Sequence, residues 1–398
     1  MSHNHAAIVP LIGGLPLGTE NVFKKKPEYI LSYSPFGAND SQYRAYRKDV
    51  PYYRIDENEV PSSLKEVDVI GATCPCAGLS SLSPSSSSDN KANDWMVESA
   101  KYVLTQVKPK VFWGENAPRL ATAMGAPIVK KLRKLAKANG YTMSLYKTKS
   151  KLHGLSQKRD RSFYFFWKGT SIPYMTFYYR PNEKIEDVIL NAFVSDDDPM
   201  NEITNKNKPS DNPYYKYVLE ELEGGITHKE FQEKITTTIN PLDYLENCGK
   251  KYDEVSEWMT SKGFDKQAER CLTMYKKLKS GGGIMRKTTE IPKDYTGAFV
   301  GHMPMCLTHP VEDRYLTIRE CLAIMKMPSD FQLQGGRKNL NMICQNVPVT
   351  TAEDMAQIIY DWLDGKLDTV EAEYAVFDNK SQTIHVEKQP QTLEAFIA

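Results

Sequence analysis

Five short apolar runs, AAIVPLI (6–12), YILSYS (29–34), DVIGAT (68–73), KVFWGE (110–115) and SFYFFW (162–167), punctuate the first part of the chain. A run of this length with no polar face suits a strand covered on both sides. Between the runs, ESAKYVLTQVK (98–108) and APIVKKLRKLAKANG (126–140) place apolar residues at helical spacing, and the second closes on Asn139-Gly140, a common helix stop. Strands alternating with helices predict an α/β fold, an open and mostly parallel sheet. Such sheets bind ligands beyond the carboxyl ends of their strands. Gly13, Gly14, Cys76, Glu115 and Asn116 all fall at those ends.

The alternation stops near residue 170. Residues 170–311 hold Pro-rich, acidic and Asn-rich stretches, short helical pieces and a glycine-rich basic segment, KKLKSGGGIMRK (276–287). They predict a smaller, less regular domain inserted into a larger one made of 1–169 and 312–366. Regularity returns in RYLTIRECLAIMKMPSDF (314–331) and in the helix 350–363, which carries a Thr-x-x-Asp capping pattern. Residues 367–398, including the hairpin-like EYAVFDNKSQTIHVEK, are expected to be an appendage, and SSLSPSSSSDNKAND (80–94) a surface loop. With 398 residues the chain is long enough for this two-part plan. No apolar run approaches the roughly 18–20 residues that span a bilayer. MSHNHAAIVPLIGG has no basic lead-in, so a cytoplasmic protein with no membrane contact is expected.

TCPCAGLS (73–80) puts two cysteines one residue apart. The seven cysteines include no C-x-x-C pair and no histidine lies near Cys74 and Cys76, so nothing nominates a metal site. A disulfide within C-x-C is strained, because the Cβ atoms of an extended chain point apart. Two readings stay open: small buried apolar residues, or a nucleophile beside a bystander.

Three short signals line up with that pair: Pro75-Cys76 with Ser80, Glu115-Asn116-Ala117, and Gln157-Lys158-Arg159-Asp160-Arg161. Their order and spacing resemble the 5-methylcytosine DNA methyltransferases, as do RYLTIRECLAIMKMPSDF and CQNVPV (344–349), so the likeness covers roughly 1–169 and 312–365. It implies a Rossmann-like methyltransferase fold with 170–311 as target-recognition domain. Cytosine C5 is too weak a nucleophile to take a methyl group until a thiolate has added at C6. The resemblance makes Cys76 that thiolate, with Glu115 and the arginines Arg159 and Arg161 stabilising charge at N3 and O2, and Gln157 and Asn116 in the same site. It leaves Cys74 as packing. Since a stacked base is unreachable, the cytosine must flip out of double-stranded DNA, with the serine loop closing over it.

The resemblance implies S-adenosylmethionine as donor, held around Ile12, Gly13, Gly14, Ser34, Asp56, Pro75, Gln345 and Asn346. The family opens on D-x-F-x-G-x-G-G, where this chain has Ala7-Ile8-Val9-Pro10-Leu11-Ile12-Gly13-Gly14, and Ser34 stands at the position of the ribose-binding glutamate. DNA cytosine methylation by a monomer, in the cytoplasm of a bacterium or phage-infected cell, is the expectation. The alternatives are the same thiolate attack with another donor or outcome (hydroxymethylation, deamination, tRNA methylation) and a non-catalytic DNA-binding relative.

Overall fold

The computed structural model describes residues 3–75, 77–80, 86–284, 289–301 and 303–387. Among the described residues nine strands make one sheet: β1 (His5–Ile8), β2 (Ile30–Ser32), β3 (Tyr52–Arg54), β4 (Val69–Ala72), β5 (Val111–Asn116), β6 (Tyr141–Lys149), β7 (Asp160–Lys168), β10 (Tyr374–Asp378) and β11 (Thr383–Glu387). A separate two-stranded ribbon pairs β8 (Ser171–Pro173) with β9 (Thr369–Glu371). The order across the large sheet is β11-β10-β6-β7-β5-β4-β1-β2-β3. Pairing is parallel except at β7, which runs against both β5 and β6, and at β11. This is the Rossmann-like α/β architecture expected from the alternating runs.

The run SFYFFW is apolar throughout because both faces of β7 are covered. Phe163, Phe165 and Trp167 point to one side, where they join Trp113 of β5 and residues of α1 (Gly14–Phe23). Tyr164 and Phe166 point to the other, with Phe112 and residues of α3 (Asp94–Tyr102) and α4 (Ala126–Ala138). A fourth helix, α2 (Gly37–Tyr46), follows β2. AAIVPLI was expected to be strand to its end, but the strand stops at Ile8. Pro10 has no N–H to pair, and Val9 and Leu11 both take left-handed backbone, at φ 49° and 53°.

Residues 170–311 carry α5 (Ile185–Leu190), α6 (Pro213–Tyr217), α7 (His228–Lys234), α8 (Pro241–Asn247), α9 (Tyr252–Ser261) and α10 (Asp265–Lys279). Residues 214–291 hold a core of their own, built on Tyr215, Phe231, Leu242, Val255 and Met259. The chain then returns through α11 (Ile318–Ile324), α12 (Leu340–Gln345) and α13 (Val349–Leu363). In RYLTIRE the threonine and glutamate form a reciprocal cap: Thr317 Oγ1 accepts from the Glu320 N–H, and Glu320 accepts from the Thr317 N–H at 2.8 Å. The Thr-x-x-Asp pattern of the last helix makes no such cap. Its Asp354 carboxylate pairs with the buried His153 at 2.7 Å and with Arg180, and His153 in turn reaches Thr148 at 2.7 Å, which ties α13 to β6.

The hairpin expected near the C-terminus forms, as β10 and β11, but it does not stand off as an appendage. β10 pairs with β6 from Tyr374 opposite Met143 to Asp378 opposite Lys147, and so covers an edge that would otherwise expose unpaired backbone. Residues 388–398 of that segment and 285–288 of the basic segment lie outside the described residues.

Candidate active site

Glu115 and Asn116 end β5, and Arg161 enters β7 at the same edge of the sheet, because β7 runs antiparallel and Asn116 lies opposite Ser162. Glu115 is 2 % exposed, and its carboxylate is in contact with Arg161 Nε. Arg161 also donates to the Asp160 carbonyl at 2.7 Å, which fixes its direction. The result is a buried ion pair at the carboxyl end of a strand, where a polar substrate can meet it. Asn116 places its amide within 3.5 Å of the Pro75 carbonyl, so the turn that precedes Cys76 lies against the strand carrying Glu115. Cys76 itself lies outside the described residues, as do 81–85 of the serine run. Of the rest of that run, Ser86 accepts from Arg119 at 2.8 Å and Asn93 is buried.

Cys74 is fully enclosed. Its thiol lies 3.8 Å from the Trp95 carbonyl and 3.7 Å from Ser99 Oγ, and burial pushes it up to about 11, so it stays protonated and unreactive at neutral pH.

Gln157 and Arg159 sit deeper. The Gln157 amide contacts the Ile324 carbonyl and accepts from the Phe299 N–H at 3.2 Å. Arg159 donates to the carbonyls of Phe299 and Asn346, each at 3.0 Å. Both side chains therefore tie the backbone at Phe299 to that of the segments at Ile324 and Asn346. The Gln157 amide also meets Met325 Sδ at 3.3 Å, whereas Glu115 and Arg161 pair with each other where β5 ends and β7 begins.

The residues expected to hold a donor divide in two. Asn346 is buried: its side-chain oxygen accepts from the Gly14 N–H at 2.8 Å. Ile12 points into the core with Leu17, Ile30 and Tyr43. Ser34, Asp56 and Gln345 are exposed: the Ser34 N–H donates to both oxygens of Asp56 at 3.0 and 3.1 Å, its hydroxyl to Glu57 at 2.5 Å, and Gln345 accepts from Asn39 at 3.2 Å. The two glycines are explained by the chain's own packing. A Cβ on Gly13 would lie 2.2 Å from the Tyr43 ring, and one on Gly14 only 1.8 Å from the Val347 carbonyl oxygen.

Sequence reasoning missed Asp40. It is buried on α2, and its carboxyl accepts from the Leu11 N–H at 3.0 Å, from the Ser32 hydroxyl and from the Tyr52 hydroxyl at 3.2 Å. These bonds hold the strained turn after β1, where left-handed Val9 and Leu11 each cost about 1–3 kcal/mol. Burial pushes the Asp40 carboxyl up to about 7, against the smaller lowering effects of Ser32, Leu11, Tyr52 and Arg44. Its folded value lies above its unfolded one, so the native state keeps a proton that the unfolded chain releases. Stability should therefore fall as pH rises from about 4 to about 7, by at most ~4 kcal/mol from this group. Asp40→Asn, which has no proton to lose, should flatten that part of the profile. Urea denaturation of both proteins across the window checks this, and parallel profiles would refute it. One sequence cue existed in hindsight: an aspartate followed by Gln42-Tyr43 at the spacing of a buried helix face.

A profile of the C-5 cytosine-specific DNA methylases matches residues 12–361, most of the chain. No curated protein matches the sequence. Among solved structures, a prophage-encoded protein of E. coli named as a DNA modification methyltransferase superposes with TM-score 0.57 at 15 % identity, covering 91 % of this chain and 100 % of its own. The Entamoeba histolytica methyltransferase EhMeth gives 0.51 at 12 %, covering 91 % and 99 %. The S. pombe Dnmt2 methyltransferase gives 0.51 at 10 %, covering 90 % and 99 %. Identities this low bear on the fold alone.

Proposed function

Since the chain belongs to the C-5 cytosine-specific DNA methylase family, a class of cytosine-C5 methyltransferases, we propose that it modifies C5 of a cytosine flipped out of double-stranded DNA, with Cys76 as nucleophile. The observation that carries this reading is the buried pair Glu115–Arg161 at the open edge of β5 and β7, with Asn116 drawing Pro75 alongside. The Cys76 thiolate adds to C6, and the ring electrons move toward N3 and O2. Glu115 in its protonated carboxyl form gives that proton to N3, and Arg161 stabilises the carboxylate left behind. C5 is now the carbon end of an enamine and takes an electrophile. Loss of the C5 hydrogen as a proton then expels Cys76 and restores the aromatic ring.

The family generally draws its methyl group from S-adenosylmethionine. The residues here do not fit that group: the turn from Val9 to Gly14 is buried, its glycine spaces are filled by Tyr43 and Val347, and the carboxylates of Asp56 and Glu57 beside Ser34 are taken up by the Ser34 N–H and hydroxyl. No step above runs through it. That packing also favours a second reading, the same thiolate addition with another donor or outcome.

The inserted region is the candidate for target recognition, and the lysines at its border suit phosphate. Lys151 and Lys158, from the loop between β6 and β7, both lie over the Tyr295 ring, at 4.2 and 4.3 Å.

The test needs no donor. With no other electrophile the enamine takes a solvent deuteron at C5, and elimination then removes the original hydrogen. Duplex DNA incubated with the protein in deuterium oxide should acquire deuterium at cytosine C5, read by mass spectrometry of the nucleosides. Absence of exchange on duplexes of any sequence would sink the proposal, and exchange confined to RNA would move the substrate.

A further inference from the structure

In a sheet of this order a nucleotide-like ligand belongs beyond β1, between the turn that follows it and the ends of β2 and β4. Here the chain fills that space itself. Leu11 stands where the family pattern has its first glycine, and its backbone keeps the left-handed form that a glycine would take, with φ 53°. The turn has thus kept its path while gaining an isobutyl group. That side chain is 6 % exposed and belongs to one apolar cluster with Tyr33, Phe36, Cys74, Leu79 and Trp95. The three aromatic rings are in mutual contact, with Trp95 centred 5.0 Å from both Tyr33 and Phe36.

The arrangement is fastened from beneath. Asp40 binds the Leu11 N–H, the Ser32 hydroxyl at the end of β2 and the Tyr52 hydroxyl on β3, so the turn and two strand ends share one buried carboxyl. On the far side Gly14 is held by Asn346, and Tyr43 packs into the space beside Gly13. An apolar plug over a carboxyl already bonded to Leu11, Ser32 and Tyr52 offers a poor surface to an adenosine or a charged amino acid.

We propose that the donor side of this enzyme is closed by its own side chains, with Leu11 as the stopper and Tyr33, Phe36 and Trp95 packed over it, so that the chain does not hold S-adenosylmethionine at the β1 turn. This rests on the proposed function only in taking that turn as the donor side, and its readout is binding, not exchange at C5. Exchange together with tight S-adenosylmethionine binding would overturn the closure and leave the cytosine chemistry standing. Absence of both would do the reverse.

The experiment is calorimetric titration of the full chain with S-adenosylmethionine and with S-adenosylhomocysteine, each with and without duplex DNA. The wild type should bind neither more tightly than about 1 mM. Leu11→Gly, which restores the family's residue in a backbone already suited to it, and Trp95→Ala, which removes the cover, should each bind at least tenfold more tightly than wild type. A micromolar dissociation constant for the wild type overturns the proposal. Failure of both variants, folded by circular dichroism, to gain affinity overturns the assignment of Leu11 and the aromatic cover as what excludes the cofactor.

Discussion

Cys76→Ser should lower the rate of deuterium exchange at cytosine C5 by about 10⁴-fold or more, as expected when a covalent nucleophile is removed. The size of the effect follows from acidity. A thiol reaches its thiolate within a unit or two of neutral pH, whereas a serine hydroxyl is far from ionised there. The substitution removes one soft atom and leaves the fold alone, so unfolding midpoints should match. Cys74→Ser is the control. Its thiol is enclosed and held near 11, so this change should leave the exchange rate nearly intact while lowering stability, because the smaller oxygen leaves a gap where sulfur touches Trp95, Ser99 and Tyr164. Equal loss of exchange in both variants would assign the wrong cysteine.

The second large effect is at Glu115. Glu115→Gln keeps shape and hydrogen bonding but has no carboxyl proton to pass to N3, and should slow exchange by about 10²–10⁴-fold. Arg161→Ala removes the other half of the pair. Glu115 is then left in a nearly closed site without its cation, so Arg161→Ala should destabilise the fold by about 3–5 kcal/mol, more than Glu115→Gln does. Exchange rates and urea midpoints of the two single variants and the double variant separate the two roles. If Glu115→Gln exchanges at the wild-type rate, Glu115 is not the proton donor.

The parts of this molecule legible in the sequence are those decided by local pattern. The buried strands are apolar at every position because both faces are covered, and Glu115 and Arg161 stand out because they follow and precede such runs. β3 and β6 carry weaker patterns: YYR is half-exposed, and YTMSLYKTK mixes lysine and threonine into the strand, where Lys147 meets Asp378 of the C-terminal hairpin and Thr148 meets His153. The cofactor side was legible as a set of departures, not as a packing solution. That Leu11 could keep a glycine's backbone depends on Asp40 from the next helix, and that Gly13 and Gly14 are needed for Tyr43 and Val347 depends on contacts across the fold. Gln157 and Arg159 illustrate the same limit: their positions follow from the motif, but the carbonyls they bind, at Phe299, Ile324 and Asn346, come from three distant segments.

The packing of α1 on α13 bears on how the protein is made. Gly18 approaches so closely that a Cβ there would lie 2.5 Å from Ala352, and Gly14 finds its hydrogen-bond partner 332 residues further along the chain. During synthesis the first helix therefore emerges long before the surface it must cover. Until α13 leaves the ribosome, Leu15 and Phe23 of α1 and Trp113 and Phe165 of the nascent sheet lack part of the apolar cover they have in the fold. Such non-local closure slows folding and leaves an aggregation-prone intermediate. Chains released early by truncation should accumulate in the insoluble fraction or with chaperones, and the yield of soluble enzyme should rise when translation is slowed or the temperature lowered.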